Sequence, residues 1–119
     1  MFDRFRRKRK GPPALPPTDL DGEVIDQLRQ LGADLALPRD TQHYLYAPTE
    51  SAADSIAADI AGDGRKIEVR PSASGGTWLV KLNMDLVVSS ESIRQLRTEL
   101  ESAAARHGGD YDGWEAALD

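Results

Sequence analysis

The chain has 119 residues, 39% of them hydrophobic and 29% charged, so it can form one modest hydrophobic core. It contains no cysteine, which excludes disulfides and thiolate metal sites, and no apolar run approaches the ~18–20 residues of a membrane-spanning helix. Residues 1–17 hold six basic residues and one acidic residue, a charge of +5, so the rest carries −10 within a net charge of −5. A folded part this acidic repels nucleic acid and suits a basic protein surface better.

The first 17 residues form a basic arm and a proline-rich linker. Like charges at this density repel one another and cannot bury apolar surface, so we expect disorder through Pro17 and a folded domain over residues 18–119. The arm could bind an anionic membrane surface, bind RNA phosphates or remain free in solvent. The residues that would make such contacts are Phe2, Arg4, Phe5, Arg6, Arg7, Lys8, Arg9 and Lys10.

The compartment follows from two features of the sequence. No apolar segment follows the basic residues of the arm, so the arm is not typical of a secretory signal. A chain without cysteine is compatible with a reducing compartment. We therefore expect a cytoplasmic protein.

Downstream of the arm, the spacing of apolar residues predicts three helices separated by strands. The first helix has an apolar stripe made of Val24, Ile25, Leu28 and Leu31. Gly32 supplies its stop, because glycine readily adopts the left-handed conformation of a helix end. In chain order, the predicted elements are a helix from about 18–21 to 31, a strand at 41–47, a helix from Thr49 or Ser51 to about 61, strands at 66–70 and 77–82, a helix from Ser89 or Ser90 to about 107, and either a strand or a loop at 110–115.

The order of these elements predicts the fold. Without the first helix, the order is βαββαβ, which is the split-βαβ or ferredoxin-like pattern. Ile67 and Val69 alternate with charged residues, as is typical of a strand in a sheet with one solvated face. We therefore predict an α+β protein, a ferredoxin-like sandwich of an antiparallel sheet with helices on one face, plus an extra N-terminal helix.

Residues for catalysis or metal binding are not found at the necessary spacing. His43 and His107 have no second histidine or thiol at a ligand spacing, so we expect structural roles for both. Residues 110–113 resemble the start of a calcium loop, but no glutamate follows at the required position. No glycine-rich phosphate loop and no nucleophile elbow is present. The sequence predicts a protein that is not an enzyme and has no metal or cofactor.

The closing segment at residues 108–115, which reads GGDYDGWE, resembles the closing motif of the RraB family of regulators of ribonuclease E. The upstream stretches that agree with the family are residues 32–35 followed by Pro38 and Arg39, residues 43–46, and residues 78–80. The resemblance covers residues 21–115. It implies a ferredoxin-like α+β fold and a protein that binds ribonuclease E and restrains RNA degradation without performing chemistry.

Two interpretations apply to the aromatic residues of these stretches. Tyr111, Asp112 and Trp114 could form a recognition surface, because aromatic anchors dominate the binding energy of many interfaces. Alternatively, Trp114 fills the edge of the core and Asp112 helps to form a turn. Tyr44 and Tyr46 face the same two alternatives.

Two functions are compatible with these features. The first is a protein-binding regulator that inhibits ribonuclease E and so modulates RNA degradation. The second is an adaptor whose basic arm recruits the acidic domain to a membrane or to RNA, as the division of charge indicates. The stoichiometry and the oligomeric state do not follow from the sequence.

Overall fold

The computed structural model describes residues 4–8, 17–73 and 75–117, which form a five-stranded sheet and three helices. The helices pack against the sheet. In chain order, the elements are β1 (Arg4–Lys8), α1 (Pro17–Gln30), β2 (Arg39–Ala47), α2 (Glu50–Ile60), β3 (Lys66–Pro71), β4 (Trp78–Leu86), α3 (Ser90–Arg106) and β5 (Asp110–Ala117).

The sheet is antiparallel throughout, with the strand order β1-β5-β2-β4-β3. Helix α2 connects β2 to β3 across the intervening β4, and α3 connects β4 to β5 across the intervening β2. These two crossovers are the split-βαβ arrangement. The predicted ferredoxin-like α+β fold is therefore confirmed, and α1 is the extra N-terminal helix.

Within the described residues, helices cover one face of the sheet and leave the other uncovered. Burial alternates along β2, where Thr41, His43 and Leu45 are buried on the side of α2 and α3. Gln42, Tyr44 and Tyr46 lie on the opposite side and are only partly buried. A side-chain period of two produces this difference. We call the side of the sheet that carries Gln42, Tyr44 and Tyr46 the open face.

The two crossover helices begin at side-chain caps. The Thr49 hydroxyl accepts a hydrogen bond from the Ala52 N–H at 3.1 Å, which satisfies a free donor of the first turn of α2. Ser89 and Ser92 form a reciprocal capping box at the start of α3, with both hydrogen bonds at 3.0 Å. Of the two cap candidates at each helix, Thr49 and Ser89 are therefore the caps.

The core has two parts. The larger cluster lies between the sheet and the crossover helices, and its buried members are Leu45, Ala47, Ala53, Ile56, Ile60, Val80, Leu82, Leu96, Leu100, Ala103, Ala104 and Tyr111. The smaller cluster attaches α1, and its buried members are Val24, Ile25, Leu28, Val88, Ile93, Trp114 and Ala116. Leu31, which was predicted to continue the stripe of α1, is 58% exposed because α1 ends at Gln30. Gly32 follows with a φ of 87°, as expected for a helix stop.

The arm differs in part from the sequence prediction. Residues 4–8 were expected to be disordered, but they form β1, which pairs with β5 from Arg4 opposite Ala117 to Lys8 opposite Gly113. The unpaired backbone groups of a sheet edge can hold a segment that has no core of its own. Helix α1 begins at Pro17, where a proline is well tolerated. The rest of the predicted arm, residues 1–3 and 9–16, lies outside the described residues.

Candidate docking face and closing motif

Strand β5 contains a β-bulge that places both of its aromatic side chains in the core. The pairing of β5 with β2 skips Asp112, which is the extra residue of the bulge. Gly113 has a φ of 126°, which favours glycine. Tyr111 and Trp114 are three positions apart, so a regular strand would direct them to opposite faces. The bulge brings both to the face that the helices cover.

This geometry corrects one of the two interpretations of the closing motif. The exposed fractions are 2% for Tyr111, 6% for Asp112 and 1% for Trp114. Tyr111 belongs to the larger core cluster, and Trp114 belongs to the smaller one. These three residues therefore do not form an exposed recognition surface together with Tyr44 and Tyr46. Trp114 fills the core, as the alternative interpretation held.

A chain of buried hydrogen bonds runs beside the motif. Thr41 Oγ1 donates to the Met84 carbonyl at 2.8 Å and therefore accepts from His43 Nε2 at 3.0 Å. His43 Nδ1 accepts from the Tyr111 hydroxyl at 3.3 Å. Burial, and to a smaller extent the charge of Arg65, lowers the His43 pKa to about 3. The ring is neutral at pH 7 and has the structural role that the sequence indicated.

His107 also has a structural role, at the end of α3. Its Nε2 lies 2.8 Å from Asp59 Oδ2 on α2, and Arg106 Nε lies 3.3 Å from the same oxygen. The His107 hydrogen bond and the adjacent Arg106 lower the Asp59 pKa. In the part of the chain that the structure describes, no group of three or more His, Cys, Asp or Glu side chains is placed to hold a metal ion.

The open face presents the two remaining candidate residues, Tyr44 and Tyr46. The Tyr44 hydroxyl lies 2.5 Å from Glu115 Oε1, to which it donates, and 2.9 Å from Gln42 Oε1. Tyr46 is opposite Leu79 in the neighbouring strand. A concavity of about 450 Å³ opens beside the two tyrosines and is lined by Tyr44, Tyr46, Arg70, Pro71, Ser72, Ala73 and Leu79.

The charges on the open face are mixed. By the register of the strands, its basic residues include Lys66, Arg70 and Lys81, and its acidic residues include Asp40, Glu68, Asp85 and Glu115. Such a mixture is not the basic footprint of a nucleic-acid site. Aromatic residues inside a polar rim are instead typical of a protein interface. Arg70 and Leu79 were not predicted to lie at this site, although the alternation of β3 already placed Arg70 on the solvated face.

The structure describes only some of the candidate residues of the arm. Those in β1 are Arg4, Phe5, Arg6, Arg7 and Lys8. Phe2, Arg9 and Lys10 lie outside the described residues. None of the helices found within the described ranges combines the length and the apolar character that crossing a membrane requires.

A known family model matches most of the chain. The family model RraB, described as regulator of ribonuclease activity B, matches residues 18–116. The matched range includes α1, both crossover helices and the bulged strand β5 up to Ala116, but not β1. No curated protein matches the sequence.

Proposed function

The chain belongs to the RraB family of regulators of ribonuclease activity, and on that premise we propose that it binds ribonuclease E and inhibits RNA cleavage without catalysing a reaction. The observation that carries the proposal is the extent of the match, which covers the domain from residue 18 to residue 116. A regulator family does not require a catalytic centre. The absence of metal-ligand groups among the described residues is compatible with this role.

The charge of the domain supports a basic partner surface. Outside residues 1–17 the chain carries −10. Opposite charges across an interface accelerate encounter and fix the orientation of the partners. A ribonuclease must itself present basic surface to its RNA substrate. An acidic regulator can therefore bind the same kind of surface that RNA binds.

The open face has the features of a contact surface for the ribonuclease. Tyr44 and Tyr46 combine large apolar area with polar tips, and the concavity beside them can accept a side chain of a partner. The Tyr44 hydroxyl donates a hydrogen bond to Glu115 Oε1, so its ring is ordered before binding. A pre-ordered aromatic side chain loses little conformational entropy on association. We propose that Tyr44 and Tyr46 contact the ribonuclease.

The proposal is tested with purified ribonuclease E and a labelled RNA substrate. Increasing amounts of this chain should slow cleavage, and the Tyr46→Ala variant should require at least tenfold more protein for the same inhibition. Arg94→Ala is the matched control, because Arg94 is exposed on α3, away from the open face. Cleavage that is unchanged by excess protein, together with no co-purification of the two proteins, would exclude the function.

The alternative function, an adaptor that acts through its arm, is not favoured by any observation on the described residues. The part of the arm that the structure describes pairs with β5. Regulation of a ribonuclease would place the protein in the cytoplasm, which is the compartment expected from the sequence.

A further inference from the structure

Residues 4–8 of the basic arm occupy an edge of the sheet. β1 pairs with β5 over five residues, with Arg6 opposite Glu115 and Arg7 opposite Trp114. The family match begins at residue 18, so β1 is an addition to the matched domain. Without β1, the matched domain would end at β5, whose outer backbone groups would be unpaired.

The two elements beside β1 are acidic. Helix α1 and strand β5 both contact β1. The sequence of α1 contains four acidic residues and one basic residue, and that of β5 contains three acidic residues and no basic residue. β1 itself reads RFRRK. The edge is therefore paired along its backbone with a segment whose sequence is of opposite charge.

We propose that the outer edge of β5 is a docking edge for an extended basic segment of a partner protein, and that residues 4–8 occupy this edge in competition with the partner. Addition of a strand to a sheet edge is an established mode of peptide recognition, in which the backbone supplies affinity and the side chains supply selectivity. Because β1 is mostly basic, we expect the edge to prefer a basic segment. The docking edge lies next to the open face, because Glu115 of β5 also binds Tyr44.

The arm is suited to be displaced. A segment of five residues, four of them basic, cannot form a strand without the sheet that it pairs with. It is joined to α1 through residues 9–16, so it competes as a tethered segment at an effective concentration on the order of 1 mM. A free peptide of the same sequence should therefore bind poorly to the intact chain and well to a chain whose arm cannot pair.

The identification of the partner as a ribonuclease rests on the proposed function, whereas the ability of the edge to accept a strand does not. The first experiment therefore uses the chain alone. Hydrogen exchange is measured on the full chain, on Phe5→Pro combined with Arg6→Pro, and on Phe5→Ala combined with Arg6→Ala. Adjacent prolines remove at least one hydrogen bond to β5, because alternate residues of a strand direct their N–H groups to the same side. The alanine variant has the same net charge as the proline variant and is therefore its matched control.

In the full chain and in the alanine variant, the β5 amides that face β1 should be protected, and in the proline variant they should exchange at least tenfold faster. Amides between β2 and β4 should stay protected in all three, which shows that the fold is retained. Equal exchange of the β5 amides in all three proteins would overturn the proposal, because the arm would then not occupy the edge.

The second experiment adds a labelled peptide with the sequence of residues 1–10. It should bind the proline variant at least tenfold more tightly than the alanine variant, restore protection to β5, and bind more weakly as salt concentration rises. Equal binding to both variants would show attraction to acidic surface elsewhere and would overturn the proposal.

Ribonuclease binding separates the two proposals. If the proline variant binds the peptide but neither it nor the full chain binds ribonuclease E, the docking edge stands and the proposed function fails. If ribonuclease E binds all variants equally and the peptide does not compete, the function stands and the docking edge is not its site.

Discussion

Gly109 lies directly against the backbone carbonyl of Tyr46, so that a side chain at position 109 would overlap the carbonyl oxygen. A Cβ there would also lie 3.2 Å from Ile56 Cδ1. The position joins α3 to β5, which pairs with β2 from Asp110 onward. The second glycine of the closing motif is therefore required by the close approach of two backbones.

The Gly109→Ala substitution should lower the free energy of unfolding by about 1–3 kcal/mol, the usual cost of overpacking a core. Gly22→Ala is the matched control, because nothing lies within 4 Å of a Cβ at that helical position and φ is not positive. The control should be unchanged or more stable by about 0.5–1 kcal/mol. Urea denaturation measures both, and equal stability of the two variants would contradict the argument.

The hydrogen-bond chain through His43 gives the second prediction. Thr41→Val removes the hydroxyl and leaves His43 Nε2 and the Met84 carbonyl without this bond. The expected loss of stability is about 1–3 kcal/mol, because buried polar groups are costly when unsatisfied. Thr98→Val is the control, since the Thr98 hydroxyl is exposed and binds only a helix carbonyl. If the Thr41→Val protein is as stable as the Thr98→Val protein, the hydrogen bonds through Thr41 and His43 contribute nothing to stability.

His43 also makes stability depend on pH. Its pKa falls from 6.5 to about 3 on folding, mainly by burial. Between these values the unfolded chain binds a proton that the folded chain does not, so stability decreases as pH falls, by up to about 1.4 kcal/mol per pH unit. Unfolding measured from pH 6.5 to 5 should show a smaller slope for His43→Gln, which does not titrate. An unchanged slope would mean that His43 is protonated in the folded protein.

The sequence predicted the fold well where a residue pattern has one physical meaning. The alternation of β3 identified a half-covered sheet, and the capping candidates included the true caps, Thr49 and Ser89. The bulge was not predicted, because a regular strand places Tyr111 and Trp114 on opposite faces. They share a face only because Asp112 is an extra residue in the ladder with β2. The only local signal was Gly113, a glycine inside a strand pattern.

The candidate site was less predictable than the fold. An aromatic residue in a motif can be a partner contact or a core residue, and only burial distinguishes Trp114 from Tyr46. The pairing of β1 could not be predicted from hydrophobic periodicity, because the segment is mostly basic and pairs through its backbone. Its charge, read against the acidic sequences of α1 and β5, was the available signal.

Arg65 joins the two crossover helices through its guanidinium group. Its guanidinium donates to the Ile60 carbonyl at 2.9 Å, at the end of α2, and to both carboxylate oxygens of Glu99 on α3 at 2.7 and 3.0 Å. The pair raises the Arg65 pKa and lowers the Glu99 pKa. A lysine can keep the charge but not this fork of hydrogen bonds. Arg65→Lys should therefore lower the free energy of unfolding by about 1 kcal/mol.

Arg70→Lys is the matched control for Arg65→Lys. Arg70 makes a single contact of 3.3 Å with Glu68, and both side chains are 53% exposed. Exposed ion pairs of this kind contribute little, so the control should change stability by less than about 0.5 kcal/mol. Urea denaturation at low and high salt measures both variants. If the two substitutions lower stability equally, the contribution of Arg65 depends on its charge alone. Its fork of hydrogen bonds to Ile60 and Glu99 would then add nothing.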